Sequence, residues 1–139
     1  MINFSYQQDH YAGIILEPEI KLWLRYVISS ENKKEGEIQY VFCDDEYLLT
    51  INQDFLNHDT YTDIISFPSS EITSIISGEI YISIERVLEN SKMIIGIFID
   101  ELHRVIVHGV LHFIGYDDHT TEEKLEMRNK EDYYLNLRS

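Results

Sequence analysis

The segment HGVLHFIGYDDHT, at residues 108–120, constrains the fold more than any other part of the sequence. It overlaps a mostly apolar stretch, residues 97–114, whose spacing predicts a helix deep in the core. His108 and His112 stand four residues apart, so they lie one turn apart on the same helical face. Gly115 follows them and is suited to the left-handed backbone that ends a helix. The fold must therefore present two imidazoles from a core helix, next to a tight turn.

Two imidazoles at this spacing can hold one metal ion, and the turn at Gly115 can return a third ligand to them. Zincins place that ligand ten residues after the first histidine, a position occupied here by Asp118. Three protein ligands leave a fourth position open, as in catalytic zinc sites. We therefore predict one zinc ion (Zn2+) per chain, bound by His108, His112 and Asp118. His119 is the alternative third ligand because imidazole is a softer and commoner zinc ligand, and a site using both would be closed and structural.

Position 109 bears on the class of reaction. Peptide-cleaving zincins carry a general-base glutamate directly after the first histidine, whereas Gly109 stands here and disfavours a protease. A glycine inside a helix costs about 1 kcal/mol relative to alanine, so we expect a reason in packing or in access to the metal. Activation of water would then rest on the metal, helped by Asp117 or by a phosphate oxygen of the substrate.

The histidine face continues toward the start of the same helix. Arg104 precedes His108 by four residues, and Glu101 precedes Arg104 by three. Both side chains are expected to point toward the metal end of the helix, where they would either surround the site or pair with each other in a salt bridge. The remaining histidines are interpreted as ordinary surface or partly buried residues: His10, His58 and His103.

The rest of the chain alternates helices and strands with short connections. This order predicts a single α+β domain over residues 1–139, with a small mixed β-sheet packed against several helices. Pro18 lies in the first turn of a helix that Lys33, Lys34 and Gly36 are expected to end, and Thr120 with Glu123 matches a capping box. Strands are predicted at residues 37–43, 61–68 and 78–83, and further helices at residues 44–55, 84–93, 97–114 and 120–135.

Composition excludes some functions and disfavours others. The only cysteine, Cys43, lies in an apolar run and is interpreted as a buried, inert thiol. The start of the chain lacks the pattern of a signal peptide, and no apolar run approaches the roughly 20 residues of a membrane span. We therefore expect a cytoplasmic protein without a membrane partner. A net charge of −14 disfavours broad binding to nucleic acid, and we expect no DNA partner, but a local cationic site remains compatible with it.

Three motifs resemble the YbeY-like endoribonucleases, also called rRNA maturation factors. HGVLHFIGYDDH resembles the family signature H-G-x-L-H-x-x-G-Y-D-H, YTDIISFP resembles its strand T-D-V-L-S-F-P, and GEIYIS resembles its G-D-I strand, in the family's order. The resemblance covers about residues 52–118. It implies a zincin-related fold and a zinc-dependent, single-strand-specific endoribonuclease in 16S rRNA 3′-end maturation and ribosome quality control. The implied partners are ribosomal RNA and the small ribosomal subunit or its assembly factors.

The chain departs from the family pattern in two places. Asp118 stands where the family has its third histidine, with His119 as an extra neighbour. Leu56 stands where the family usually has an arginine that faces the substrate, and His58 stands where a lysine is common. We therefore expect contact with the substrate phosphate to come from Arg104 or His58, with Arg104 and Asp117 as the catalytic candidates.

Two functions from different classes follow. The first is metal-dependent hydrolysis of RNA, in which the metal polarises the phosphate. The second is a non-catalytic ribosome-assembly binding module with a structural metal, which the acidic surface and the missing arginine favour. A zinc peptidase would need the base that Gly109 lacks.

Overall fold

One helix, α4 (Phe98–Ile114), runs through the centre of the fold in the computed structural model, which describes residues 1–93 and 96–138. Most of its apolar side chains are buried, as the sequence predicts. The hydroxyl of the fully buried Tyr40 donates a hydrogen bond of 2.6 Å to the carbonyl of Ile106 and so ties the helix to the sheet. In the described part of the chain, no helix has both the length and the apolar character needed to cross a membrane.

The sheet has four strands in the order β1-β2-β4-β3. Their bounds are β1 Ile2–Tyr6, β2 Lys34–Cys43, β3 Ile64–Pro68 and β4 Ile75–Ser83. The pairs β1–β2 and β2–β4 are parallel and the pair β3–β4 is antiparallel, so the predicted mixed sheet is confirmed. β3 is an edge strand, as its closing proline indicates.

β1 was not predicted from the sequence, and β2 begins at Lys34, earlier than the predicted residue 37. β1 has only five residues, and it is held by parallel pairing in which Ile2 lies opposite Ile38. The first helix ends at Ser30, and Asn32, with a φ of 61°, turns the chain before Lys34 enters the strand. Lys34 and Gly36 therefore belong to β2 and do not end the helix.

Helices cover both faces of the sheet. Besides α4 they are α1 Glu17–Ser30, α2 Asp45–Leu56, α3 Ile84–Met93 and α5 Thr121–Leu135. α1, α4 and α5 share the main core with Tyr40, Phe42 and Ile80, whereas α2 packs against Ile65 of β3 in a smaller cluster with the buried Cys43. The predicted capping box of Thr120 and Glu123 is present at the start of α5. These packed layers confirm the α+β fold.

His103 lies where α4 meets α1 and the C-terminal segment. Its ring centroid is 5.8 Å from that of Trp23, and its Nδ1 is 2.7 Å from a guanidinium nitrogen of Arg138. Burial and the charge of Arg138 lower the pKa of His103 to about 4, against an opposing effect of Asp100. Because Arg138 can only donate, Nδ1 accepts this bond and the imidazole is neutral at pH 7.

We expect His103 to make the fold sensitive to acid. Its pKa is lower in the folded than in the unfolded chain, so its contribution is complete above about pH 6.5 and is lost as the pH falls toward 4. Since the group is only partly buried, the loss should be about 1–3 kcal/mol in the free energy of unfolding. Urea unfolding at pH 7 and pH 4 measures it. His103→Gln, which still accepts a hydrogen bond but does not titrate in this range, should lose less stability than the unmodified chain; equal losses would contradict the assignment.

Candidate metal centre

The two histidines of α4 and one carboxylate form a compact cluster. The rings of His108 and His112 have centroids 4.5 Å apart and are inclined by 80°. Asp118 Oδ2 is 3.5 Å from Nε2 of both rings. Gly115, with a φ of 127°, ends α4 and lets the chain fold back, so that Asp118 reaches the histidines.

The cluster fits a divalent metal ion such as zinc. One potential ligand atom from each of His108, His112 and Asp118 lies within 4.8 Å of the others, and two imidazole nitrogens with a carboxylate oxygen are a donor set that zinc accepts. His119, the alternative third ligand, is not part of this group. Its side chain is exposed, and its backbone N–H donates to Glu123 at the start of α5.

Glu131 of α5, which was not predicted from the sequence, supports the cluster. Its carboxylate is only 5% exposed and lies 2.6 Å from Nδ1 of His108. Because of this hydrogen bond, Nδ1 of His108 carries a proton that points toward Glu131, and Nε2 faces Asp118. A signal was present in the sequence, because Glu131 stands midway between Met127 and Leu135, four residues from each, in the buried stripe of α5.

Arg104 holds the other oxygen of Glu131. Its guanidinium donates to Glu131 at 3.0 Å and to Asp132 at 2.7 Å. The predicted alternative, a salt bridge to Glu101 along α4, is wrong: the guanidinium reaches across to α5, where it satisfies a buried carboxylate. Arg104 thus reaches the metal cluster through Glu131 and His108.

The environment shifts the pKa values of His108, His112 and Asp63 in different ways. Burial lowers the pKa of His108, but the hydrogen bond and charge of Glu131, with Asp118 and Asp63, outweigh it and raise the pKa above its ordinary value. Burial and the charge of His108 lower the pKa of His112. Burial raises the pKa of Asp63, against the charge of His108 and backbone hydrogen bonds. The pKa values of the two imidazoles are therefore shifted in opposite directions.

The cluster opens into a cavity of about 440 Å³ between β3, α4 and α5. Beyond the three candidate ligands, the polar lining residues are Thr62, Asp63, Ser66, Glu101, Arg104, Arg128 and Glu131. The predicted site residues Asp117 and His58 are exposed and do not line it. Leu56, at the end of α2, does not line it either. The structure thus brings together most of the predicted residues, adds Asp63, Arg128 and Glu131, and leaves His58, Asp117 and His119 outside.

Gly109 packs against the sheet. A Cβ at this position would lie 2.9 Å from Cδ1 of Ile80 and 3.2 Å from Cδ1 of Ile64. The helix rotates about 100° per residue, so position 109 faces the sheet while His108 faces the cavity. Of the two expected reasons for this glycine, the structure supports packing, and Gly109 is buried and is not among the residues that line the cavity.

The family profile and the relatives that match this chain carry the same family description. A family profile described as "Endoribonuclease YbeY" matches residues 3–138. A relative named "Endoribonuclease YbeY" from Flavobacterium psychrophilum is 53% identical, covering 99% of this chain and 96% of the relative. Another of that name from Cytophaga hutchinsonii is 47% identical, covering 97% and 94%. A solution structure from Thermotoga maritima has a TM-score of 0.72 at 28% identity, covering 98% of this chain and 87% of that one. The similarity therefore extends well beyond residues 52–118.

We expect Glu131→Gln to weaken metal binding by about 10- to 100-fold, because the amide cannot provide the charge that orients and polarises His108. Competition with a chromophoric zinc chelator measures the affinity. Asp132→Asn is the matched control, since Asp132 also contacts Arg104 but no histidine. Equal effects of the two variants would show that Glu131 acts only through Arg104.

Substitutions of Gly109 should separate packing from chemistry. Gly109→Ala gains about 1 kcal/mol of helix propensity, which offsets only part of the cost of about 1–3 kcal/mol from crowding against the movable end of Ile80. Gly109→Glu would place the protease base against the sheet, where an unpaired carboxylate costs at least about 3 kcal/mol. Urea unfolding should therefore find the glutamate variant much less stable than the alanine variant. Similar stabilities would contradict the packing explanation.

Proposed function

Because the chain belongs to the endoribonuclease YbeY family and is therefore an RNA-cleaving hydrolase, we propose that its activity is zinc-dependent and specific for single strands. We further propose that it acts in 16S rRNA 3′-end maturation and ribosome quality control, in the cytoplasm, with the small ribosomal subunit or its assembly factors as partners. Family membership supports this substrate class. An unpaired strand suits the site because its phosphates can approach a recessed cluster more closely than those of a stiff duplex.

The observation that carries the proposal is a three-ligand cluster that opens into a cavity of about 440 Å³. His108, His112 and Asp118 would hold the ion. When bound, zinc supplies a Lewis acid that polarises the phosphate and lowers the pKa of water. The open side of the cluster favours catalysis over the alternative of a structural metal, which requires a closed set of protein ligands.

The protein's own groups orient the site and carry protons. Glu131 holds His108 in one orientation, and Arg104 holds Glu131. Asp63 is the carboxyl group that we assign to proton transfer, because it lines the cavity and its burial raises its pKa. Asp117, the carboxylate favoured by the sequence analysis, is exposed and lies outside the lining.

Alanine substitutions at the predicted ligands test this function. His108→Ala and Asp118→Ala should each lower cleavage of a single-stranded RNA by at least about 100-fold, since each removes one of three ligands of a catalytic ion. The measurements are initial cleavage rates and zinc content by elemental analysis. His119→Ala is the matched control and should keep both the activity and one zinc ion per chain.

The result also separates the two candidate functions. A His108→Ala protein that stays folded, loses zinc and still cleaves RNA at the original rate would rule out metal-dependent catalysis. A wild-type protein that binds zinc but cleaves no RNA would favour the non-catalytic binding module. Loss of zinc in His119→Ala but not in Asp118→Ala would transfer the third-ligand role to His119.

A further inference from the structure

Two cavities meet at one pair of charged residues. Glu101 and Arg128 line the metal cavity and also an adjoining cavity of about 300 Å³, where they are joined by Asn90 and Met93 near the end of α3. A strand of RNA whose scissile phosphate sits at the metal cluster would thus find room for a neighbouring nucleotide on the far side of Arg128. This residue stands at the boundary between the two spaces.

The metal cavity is poor in available positive charge. Four of its lining residues are carboxylic acids, namely Asp63, Glu101, Asp118 and Glu131. Its two arginines are Arg104 and Arg128. Arg104 already forms two ion pairs, because its two terminal nitrogens bind Glu131 and Asp132. Its side chain is only 16% exposed. An RNA phosphate would therefore have to compete for Arg104 with the buried carboxylate of Glu131 or with that of Asp132.

Arg128 is in the opposite situation. Its side chain is exposed, and within residues 1–93 and 96–138 it forms no ion pair. It precedes Glu131 by three residues on α5, so the two lie on the same side of the helix. Since Glu131 reaches His108, this geometry directs Arg128 toward α4 and the cavity. The guanidinium is therefore available as a donor beside the metal cluster.

We propose that Arg128 binds a phosphate of the RNA next to the scissile one and so determines how the strand lies across the site. A guanidinium suits this role because it binds phosphate oxygens through two parallel hydrogen bonds. The adjoining cavity, with Asn90 and Met93, receives the flanking nucleotide. This role rests on the proposed endoribonuclease function and gives that function a binding residue for its substrate.

Steady-state cleavage of a short, fluorescein-labelled single-stranded RNA tests the proposal. Arg128→Gln should raise KM by about tenfold at low salt, with kcat changed less than about twofold, because a flanking contact serves binding. The slope of log KM against log KCl concentration should fall by about 0.7, as for the loss of one phosphate contact on a single strand. Lys34→Gln is the matched control: it removes the same charge from an exposed residue of β2 that lines neither cavity, and it should leave KM unchanged.

Neutral linkages in the RNA identify the phosphate. A methylphosphonate placed at the flanking linkage should raise KM for the wild-type enzyme and leave it unchanged for Arg128→Gln, because the contact is already absent. Equal KM values for Arg128→Gln and Lys34→Gln, or equal effects of every methylphosphonate on both enzymes, would overturn the role of Arg128 while leaving the nuclease function intact. Failure of the wild-type enzyme to cleave RNA would overturn the proposed function, and the role of Arg128 with it.

Discussion

A carboxylate that is 5% exposed must be hydrogen-bonded, and the one on Glu131 finds both of its partners on α4. One oxygen lies against His108 and the other accepts from Arg104. The same two contacts fix the packing of α5 on α4 and the direction in which the imidazole presents its second nitrogen. The packing of α5 and the orientation of the candidate ligand His108 are thereby coupled, because a shift of α5 would move Glu131 away from the imidazole, and loss of the imidazole would leave a buried carboxylate with one partner fewer.

The parts of the fold that depend on local pattern could be predicted from the sequence. The bounds of α3, the apolar run of α4 and the capping box at Thr120 all follow from residues within a few turns of one another. β1 could not be predicted in this way, because its five residues become a strand only by pairing with β2 across 36 positions, as in Ile2 opposite Ile38. Local pattern therefore located the helices better than the first strand.

The residues of the site also divide into those that local pattern predicts and those that depend on distant contacts. His108, His112 and Asp118 lie within eleven consecutive residues, and helix geometry with a glycine turn was enough to bring them together. Glu131 is 23 residues from His108. Arg104 was expected either to surround the site or to pair with Glu101, and its actual partners, Glu131 and Asp132, lie on α5. His58 was a candidate because it stands where the family commonly has a lysine, but it lies in the exposed loop after α2 and outside the cavity. Contacts between helices decide such cases, and a single sequence does not show them.

The order of the helices along the chain has a consequence for biosynthesis. The two candidate ligands on α4, His108 and His112, are translated before α5, which carries Glu131. A nascent chain that has released only α4 from the exit tunnel holds two histidines without the carboxylate that orients the first of them. The orientation of His108 by a carboxylate is therefore completed only after the last helix has docked on α4.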